Sequence, residues 1–192
     1  MVLGLGNPGP EYASTRHNAG FLAIDRLAEK LGRFSGWRRD RQMDRGEGRA
    51  GRNTVRLVKP LEYMNRSGLA VKALLAEGFL AGEILVACDD VYLTLGTLRL
   101  RASGGTAGHQ GLESIVAVAG TDAFPRLRIG VGPPPPSDGL KEYVLERFTD
   151  EEEAVLPRVI EAAASAAFDA AAEGLTQAMN RWNRFVLDPV EP

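Results

Sequence analysis

The first apolar run of the 192-residue chain, Val2, Leu3 and Leu5, is stopped by Asn7-Pro8-Gly9-Pro10, and that stop constrains the fold of the whole chain. Proline has no N–H to give to a β-ladder and glycine admits turn geometry, so the run reads as a short strand with a turn at its end. Phe21, Ile24, Leu27, Ala28 and Leu31 then recur at helical spacing, with Gly32 as the stop. A strand followed by a helix that lies back on its sheet is the unit of an open α/β fold, which presents its binding groups at strand ends. Asn7 is the first polar side chain at that edge. Ten residues later, still ahead of the helix, comes His17, one of two histidines in the chain. Between Arg16 and Asn18 it has little apolar packing to explain it, and imidazoles as a class titrate near neutrality and suit proton transfer. On local sequence alone, catalysis, ligand binding and an ordinary loop role all stay open.

Gly4, Gly6 and Gly9 formally spell GxGxxG, the dinucleotide fingerprint. That fingerprint works because its last glycine opens a helix whose N-terminal amides meet a pyrophosphate. Here Pro8, Pro10 and a polar stretch intervene and helical periodicity begins only near Ala19. The physical part of the mechanism is missing, and a nucleotide site is not expected.

The alternation of strands and helices continues. Thr54–Val58 alternates and ends at Lys59-Pro60, and a helical pattern runs through Ala70, Val71, Leu74 and Leu75, with Asn65 or Ser67 available to cap it. Glu83–Asp90 is an apolar strand running into two carboxylates, which puts Asp89 at a strand end. Gly96–Leu100 and Arg126–Val131 read as strands, the latter displaying Arg126 and Arg128 on one face. Residues 35–51 read as a loop or twisted hairpin, and the run Pro133–Pro136 as a stiff surface segment. Leu140, Tyr143, Val144 and Phe148 suggest a short flap hinged at Gly139. Thr149 with Glu152 forms a capping-box pattern, Pro157 suits a first helical turn, and the alanine-rich helix Val159–Glu173 stops at Gly174. With 44% hydrophobic residues, no internal repeat and no linker, residues 1–192 are expected to form one α/β domain around one core.

A formal net charge of −2 does not advertise a nucleic-acid protein, but arginines crowd residues 33–59 and acids crowd 142–153. Such a division can orient a polyanion; an ordinary solvated hairpin explains the arginines equally well. No secretion signal or membrane-length apolar run is visible, and single Cys88 rules out an intrachain disulfide framework and says nothing against a cytoplasmic location. Metal-ligand spacing is absent, so no metal is expected from the residues.

Activating water requires a base, a group that fixes the base, and donors for the developing oxyanion. His17 can be the base, Asp89 can hold its second ring nitrogen, and Asn7 and Asn65 can donate neutral amide hydrogens. A serine nucleophile lacks its GxSxG elbow. Ribonuclease chemistry would pair both histidines as acid and base, which keeps His109 in view.

The segments GLGNPGPEY, TRHNAGF, KPLEYMNRSG, LVACDD, GGTAGHQGLESI and RLRIGVGPP, in this order and spacing, resemble the bacterial peptidyl-tRNA hydrolase family over nearly the whole chain. The resemblance implies a single-domain α/β fold with a twisted mixed sheet sandwiched between helices. It implies a cytoplasmic monomer, with no obligate protein partner and no membrane, that cleaves the ester joining peptide to tRNA without metal or cofactor. It places the catalytic pair on His17 and Asp89, substrate-binding groups on Asn7, Tyr12, Tyr63, Asn65, His109 and Gln110, and contacts to the tRNA phosphate on Arg101 and Arg128. Gln110 departs from the family's usual asparagine, and Thr106 and Glu62 also depart from its pattern. A noncatalytic RNA-binding relative and a general carboxylic ester hydrolase are the alternatives.

Overall fold

A computed structural model describes residues 1–133 and 139–187; Pro134–Pro136 of the proline run lie outside these. Seven strands among the described residues form one sheet: β1 (Val2–Gly4), β2 (Arg38–Asp40), β3 (Met43–Ala50), β4 (Asn53–Pro60), β5 (Leu85–Thr94), β6 (Leu98–Arg101) and β7 (Arg126–Gly132). Their spatial order is β2-β3-β4-β1-β5-β7-β6. The centre, β4-β1-β5-β7, is parallel, and both margins are antiparallel.

Strand side chains alternate between faces, so consecutive apolar residues in a central strand must be buried on both sides. Val2, Leu57 and Leu85 enter a core with helices α1 (Ala19–Lys30), α5 (Asp150–Ala172) and α6 (Leu175–Trp182). Their neighbours Leu3, Val58 and Val86 enter a second core with α2 (Gly68–Ala76) and α3 (Gln110–Ala119). The sheet is thus sandwiched between helices, and the expectation of one core becomes two separated by the sheet. No helix among the described residues is long and apolar enough to cross a membrane.

Gly4 of the formal fingerprint and Gly20 of α1 serve packing. A Cβ on Gly4 would lie 2.4 Å from Ile24 Cγ1, and one on Gly20 2.5 Å from the carbonyl oxygens of Ala87 and Leu5. Only hydrogens fit there, so α1 seats directly on β1 and β5, and the Phe21 N–H donates to the Leu5 carbonyl at 3.1 Å. That contact anchors the preceding turn, which carries His17.

Three local expectations change. β5 continues past Asp90 to Thr94 through an irregular register, so Asp89 lies inside a strand rather than at its end. It still projects past the sheet's shorter member, because β1 stops at Gly4 opposite Ala87. Pro157 sits inside α5, which starts at Asp150 behind the Thr149–Glu152 capping box. Ser67 precedes α2 but its hydroxyl donates back to the Met64 carbonyl at 2.8 Å instead of capping the helix.

Candidate active site

The catalytic candidates meet at one carboxylate. His17 sits in a short 3-10 turn, Arg16–Asn18, and its Nδ1 lies 3.0 Å from both oxygens of Asp89. Asp89 Oδ1 also lies 2.9 Å from Nε2 of His109. His109 is the N-cap of α3: its Nδ1 accepts from the backbone N–H groups of Gly111 at 3.1 Å and Leu112 at 3.4 Å. Backbone amides are donors only, so His109 Nδ1 must carry a lone pair and its proton sits on Nε2, facing Asp89. The carboxylate then accepts from His17 Nδ1–H as well, and the remaining ring nitrogen of His17 keeps its lone pair. Burial opposes the charge on Asp89, but His109 and His17 at hydrogen-bond distance outweigh it and hold the carboxyl below the usual carboxylate range.

The rings of His17 and His109 are tilted, with centroids 5.0 Å apart. Both converge on the same carboxylate. His109 has both nitrogens engaged, so it cannot serve as the second proton-transfer group of a ribonuclease pair, and any contact with substrate is left to its ring surface. Ligand-type atoms of His17, Asp89 and His109 lie within 4.8 Å of one another, close enough to hold a metal ion, and in this arrangement His17 Nδ1 and His109 Nε2 are engaged with the Asp89 carboxylate.

Asn7 is fixed from two sides. Its backbone N–H donates to Asn18 Oδ1 at 2.8 Å, and Asn18 Nδ2 returns a bond to the Asn7 carbonyl at 3.0 Å. Its side-chain oxygen accepts the Met64 N–H at 2.8 Å, which leaves the amide NH₂ as the end available to a ligand. Sequence reasoning misses Asn18; the one signal for it is a polar residue adjoining His17 in a segment with no apolar pattern.

His17, Asp89, Asn7, Tyr12, Tyr63, Asn65, His109, Gln110 and Arg128 line one cleft of about 480 Å³. Tyr12 and Tyr63 meet edge to face, with centroids 6.3 Å apart. The side-chain amides of Asn65 and Gln110 make no hydrogen bond among the described residues. Leu140, Lys141, Val144 and Leu145 of α4 (Leu140–Leu145), the segment read as a flap, line the same cleft.

The arginines depart from expectation. Arg126 and Arg128 are not displayed together: Arg126 is fully buried, and its guanidinium donates to the carbonyls of Gly104, Gly105, Asp122 and Phe124. Arg128 is mostly enclosed, with Nη1 on Asp90 at 3.0 Å and Nη2 on the Gly105 carbonyl at 2.6 Å. Both therefore grip the glycine loop that leads to His109. Arg101 lies outside the cleft lining, exposed, with one bond at 3.4 Å to the carbonyl of Leu100. The arginine-rich span resolves into the β2–β3–β4 margin, where Arg39 pairs with Asp44, Arg45 with Glu77 and Lys59 with Asp25. Cys88 is buried, which pushes its thiol up and away from nucleophilic use.

Known proteins resemble the chain along nearly its whole length. The family model described as peptidyl-tRNA hydrolase matches residues 1–189. The peptidyl-tRNA hydrolase of Synechococcus sp. (strain JA-3-3Ab) is 48% identical over 184 residues, covering 95% of this chain and 82% of that protein. That of Moorella thermoacetica is 48% identical over 185 residues, covering 95% and 97%. A crystal structure of peptidyl-tRNA hydrolase from Acinetobacter baumannii superposes with a TM-score of 0.88 at 37% identity, over 96% of this chain and 94% of that one.

Proposed function

The chain belongs to the peptidyl-tRNA hydrolase family and hydrolyses the ester bond between peptide and tRNA, and from that premise we propose that His17 is the general base. The observation that carries the assignment is the fixed chain of protons from the α3 amides through His109 to Asp89 and His17. It leaves His17 Nε2 as a lone pair on the cleft side. In the proposed reaction a water held at Nε2 attacks the ester carbonyl while its proton passes to the imidazole. Asp89 stabilises the resulting imidazolium. The free amide hydrogens of Asn7 and Asn65 meet the oxyanion as the tetrahedral intermediate forms. The intermediate then breaks its bond to the ribose oxygen, which takes the proton from His17 as tRNA leaves. Apart from the attacking water, every group this sequence uses is a side chain of the protein, so it calls for no metal or cofactor.

Tyr12 and Tyr63 are proposed to pack against the substrate in the cleft and His109 to hold Asp89 while offering its ring surface. Gln110 projects one methylene farther than the asparagine usual in the family. Exposed and without a hydrogen bond among the described residues, its amide is proposed to bind substrate in a shifted pose. Gln110→Ala should weaken substrate binding by roughly fivefold, the worth of one neutral hydrogen bond, while Gln110→Asn changes it less. Steady-state KM and equilibrium binding check this; both variants matching the parent would remove Gln110 from the site.

Arg101 is the better placed of the two proposed phosphate contacts, since Arg128 already serves Asp90 and Gly105. Arg101→Gln should lower tRNA affinity and reduce the slope of log K against log salt by about 0.7–0.9, as one released counterion requires. Arg128→Gln should also reduce turnover, because the glycine loop loses one grip. Titrations at several salt concentrations, with tRNA and with a short ester mimic, separate the two. The chain is further proposed to act as a cytoplasmic monomer without an obligate protein partner, and light scattering at micromolar concentration tests the oligomeric state.

A further inference from the structure

Arg16 adjoins His17, is 3% exposed, and takes no part in the proton chain. A buried guanidinium needs partners, and those of Arg16 lie more than a hundred residues away in sequence. Nη1 donates to the Tyr143 carbonyl at 3.3 Å and lies 3.5 Å from a Glu146 carboxylate oxygen. Nη2 donates to Glu152 Oε2 at 2.6 Å. The guanidinium carbon stands 4.2 Å from the centre of the Tyr143 ring and 5.6 Å from that of Phe148. The Arg16 backbone N–H donates to the Glu146 carbonyl at 3.1 Å, and Thr15 bridges to Arg147.

This is a poor arrangement for stability alone. A buried charge pair commonly adds no more than an apolar side chain of equal size would, and here Nε is enclosed without a hydrogen-bond partner among the described residues. What the contacts do deliver is placement. Glu152 Oε2 also accepts the Thr149 N–H at 2.8 Å as the capping box of α5, so Arg16 is tied to the start of the longest helix. Tyr143, under the guanidinium, donates its hydroxyl to the Val131 carbonyl of β7 at 2.6 Å. Around that buried tyrosine, Leu140, Val144 and Leu145 line the cleft that contains His17.

We propose that Arg16 is a positioning residue for the hydrolysis: by clamping α4 to the turn that carries the base, it sets the spacing between the apolar wall of the cleft and His17. The cleft's hold on the ester end of peptidyl-tRNA depends on that spacing. The proposal rests on the reading of His17 as the base, and the two fail differently, since His17 is read in kcat and Arg16 in KM.

Arg16→Lys keeps the charge and the aliphatic stem but loses the second arm and the planar stack. Losing one charge-assisted hydrogen bond should raise KM for peptidyl-tRNA about tenfold with kcat little changed. Hydrogen exchange at residues 143–146 should quicken more than exchange in the middle of α5. Glu152→Gln, which weakens the same clamp from its partly exposed end, should shift KM in the same direction, and the double variant should lose less than the product of the two single effects. If Arg16→Lys fails to fold, Glu152→Gln alone decides by the same KM-against-kcat split. Unchanged KM in the folded variants, or a fall in melting temperature with both kinetic constants at parental values, would overturn the proposal. A His17→Ala variant with near-normal kcat would instead overturn the base assignment, whatever Arg16 does.

Discussion

His17→Ala is expected to lower kcat for peptidyl-tRNA by at least about 10²-fold while leaving tRNA affinity close to the parent's. The substitution removes the lone pair proposed to take the proton from water, and no neighbour among the described residues is free to replace it. His109 has Nδ1 committed to two backbone amides and Nε2 to Asp89, and Asp89 is buried with its oxygens held by both rings. Asn7, Asn65 and Arg101 are untouched, so binding should persist. Single-turnover release of a labelled peptide measures the chemical step without interference from product release, and binding of peptidyl-tRNA is measured in parallel. Release at a near-normal rate would show that the base lies elsewhere. Loss of binding equal to the loss of rate would show that His17 holds the substrate rather than activates water.

The parts of this site legible in the sequence share one physical origin. Asn7, His17 and Asp89 are polar groups set beside apolar runs that have their own reason to be buried, so the conflict is visible one segment at a time. The parts that escape depend on partners distant in sequence. Asn18 matters because its amide closes a two-bond ring with Asn7, and Arg16 because α4 and α5 supply its partners. Arg126 shows the limit of periodicity: alternation puts it on one face with Arg128, but only the folded loop reveals the carbonyls of Gly104 and Asp122 that allow its charge to be buried.

The fold shows the same division. The parallel centre is readable because its strands are apolar on both faces. The β2–β3 margin reads only as a loop or a twisted hairpin, of which the structure forms the hairpin, because the enclosed positions of β3 include Gly46, Gly48 and Ala50, which carry no hydrophobic signal. They are small for a reason: a Cβ on Gly46 would lie 2.5 Å from the Phe34 ring and one on Gly48 2.8 Å from Leu31. The large apolar partners come from residues before the strand, so the pattern is completed in space and not along the chain.

Asp89→Asn is expected to reduce turnover by roughly 10²–10⁴-fold, the upper figure being that of the corresponding change in a hydrolytic triad. The argument is one of donors and acceptors. Asp89 offers acceptors only, and it faces two imidazole N–H groups. Asparagine offers one oxygen and one NH₂. His109 cannot change tautomer while Gly111 and Leu112 donate to its Nδ1, so the asparagine oxygen must stay at the position of Oδ1. The NH₂ then replaces Oδ2 and points at His17 Nδ1, which lies 3.0 Å from that position. That geometry favours a lone pair on Nδ1 and a proton on Nε2, the opposite of what a base in the cleft requires. Nitrogen NMR of the imidazoles should show His17 changing tautomer and His109 keeping its own. The same carboxylate gives an acid-side signature. Because its folded pKa is depressed, ionised Asp89 contributes stability above the unfolded carboxylate value of about 3.9, and loses it as pH falls through the folded value. The stability gap between parent and Asp89→Asn, taken from urea midpoints, should therefore narrow on acidification. A variant within tenfold of parental turnover, with the His17 tautomer unchanged, would show that the carboxylate orients nothing.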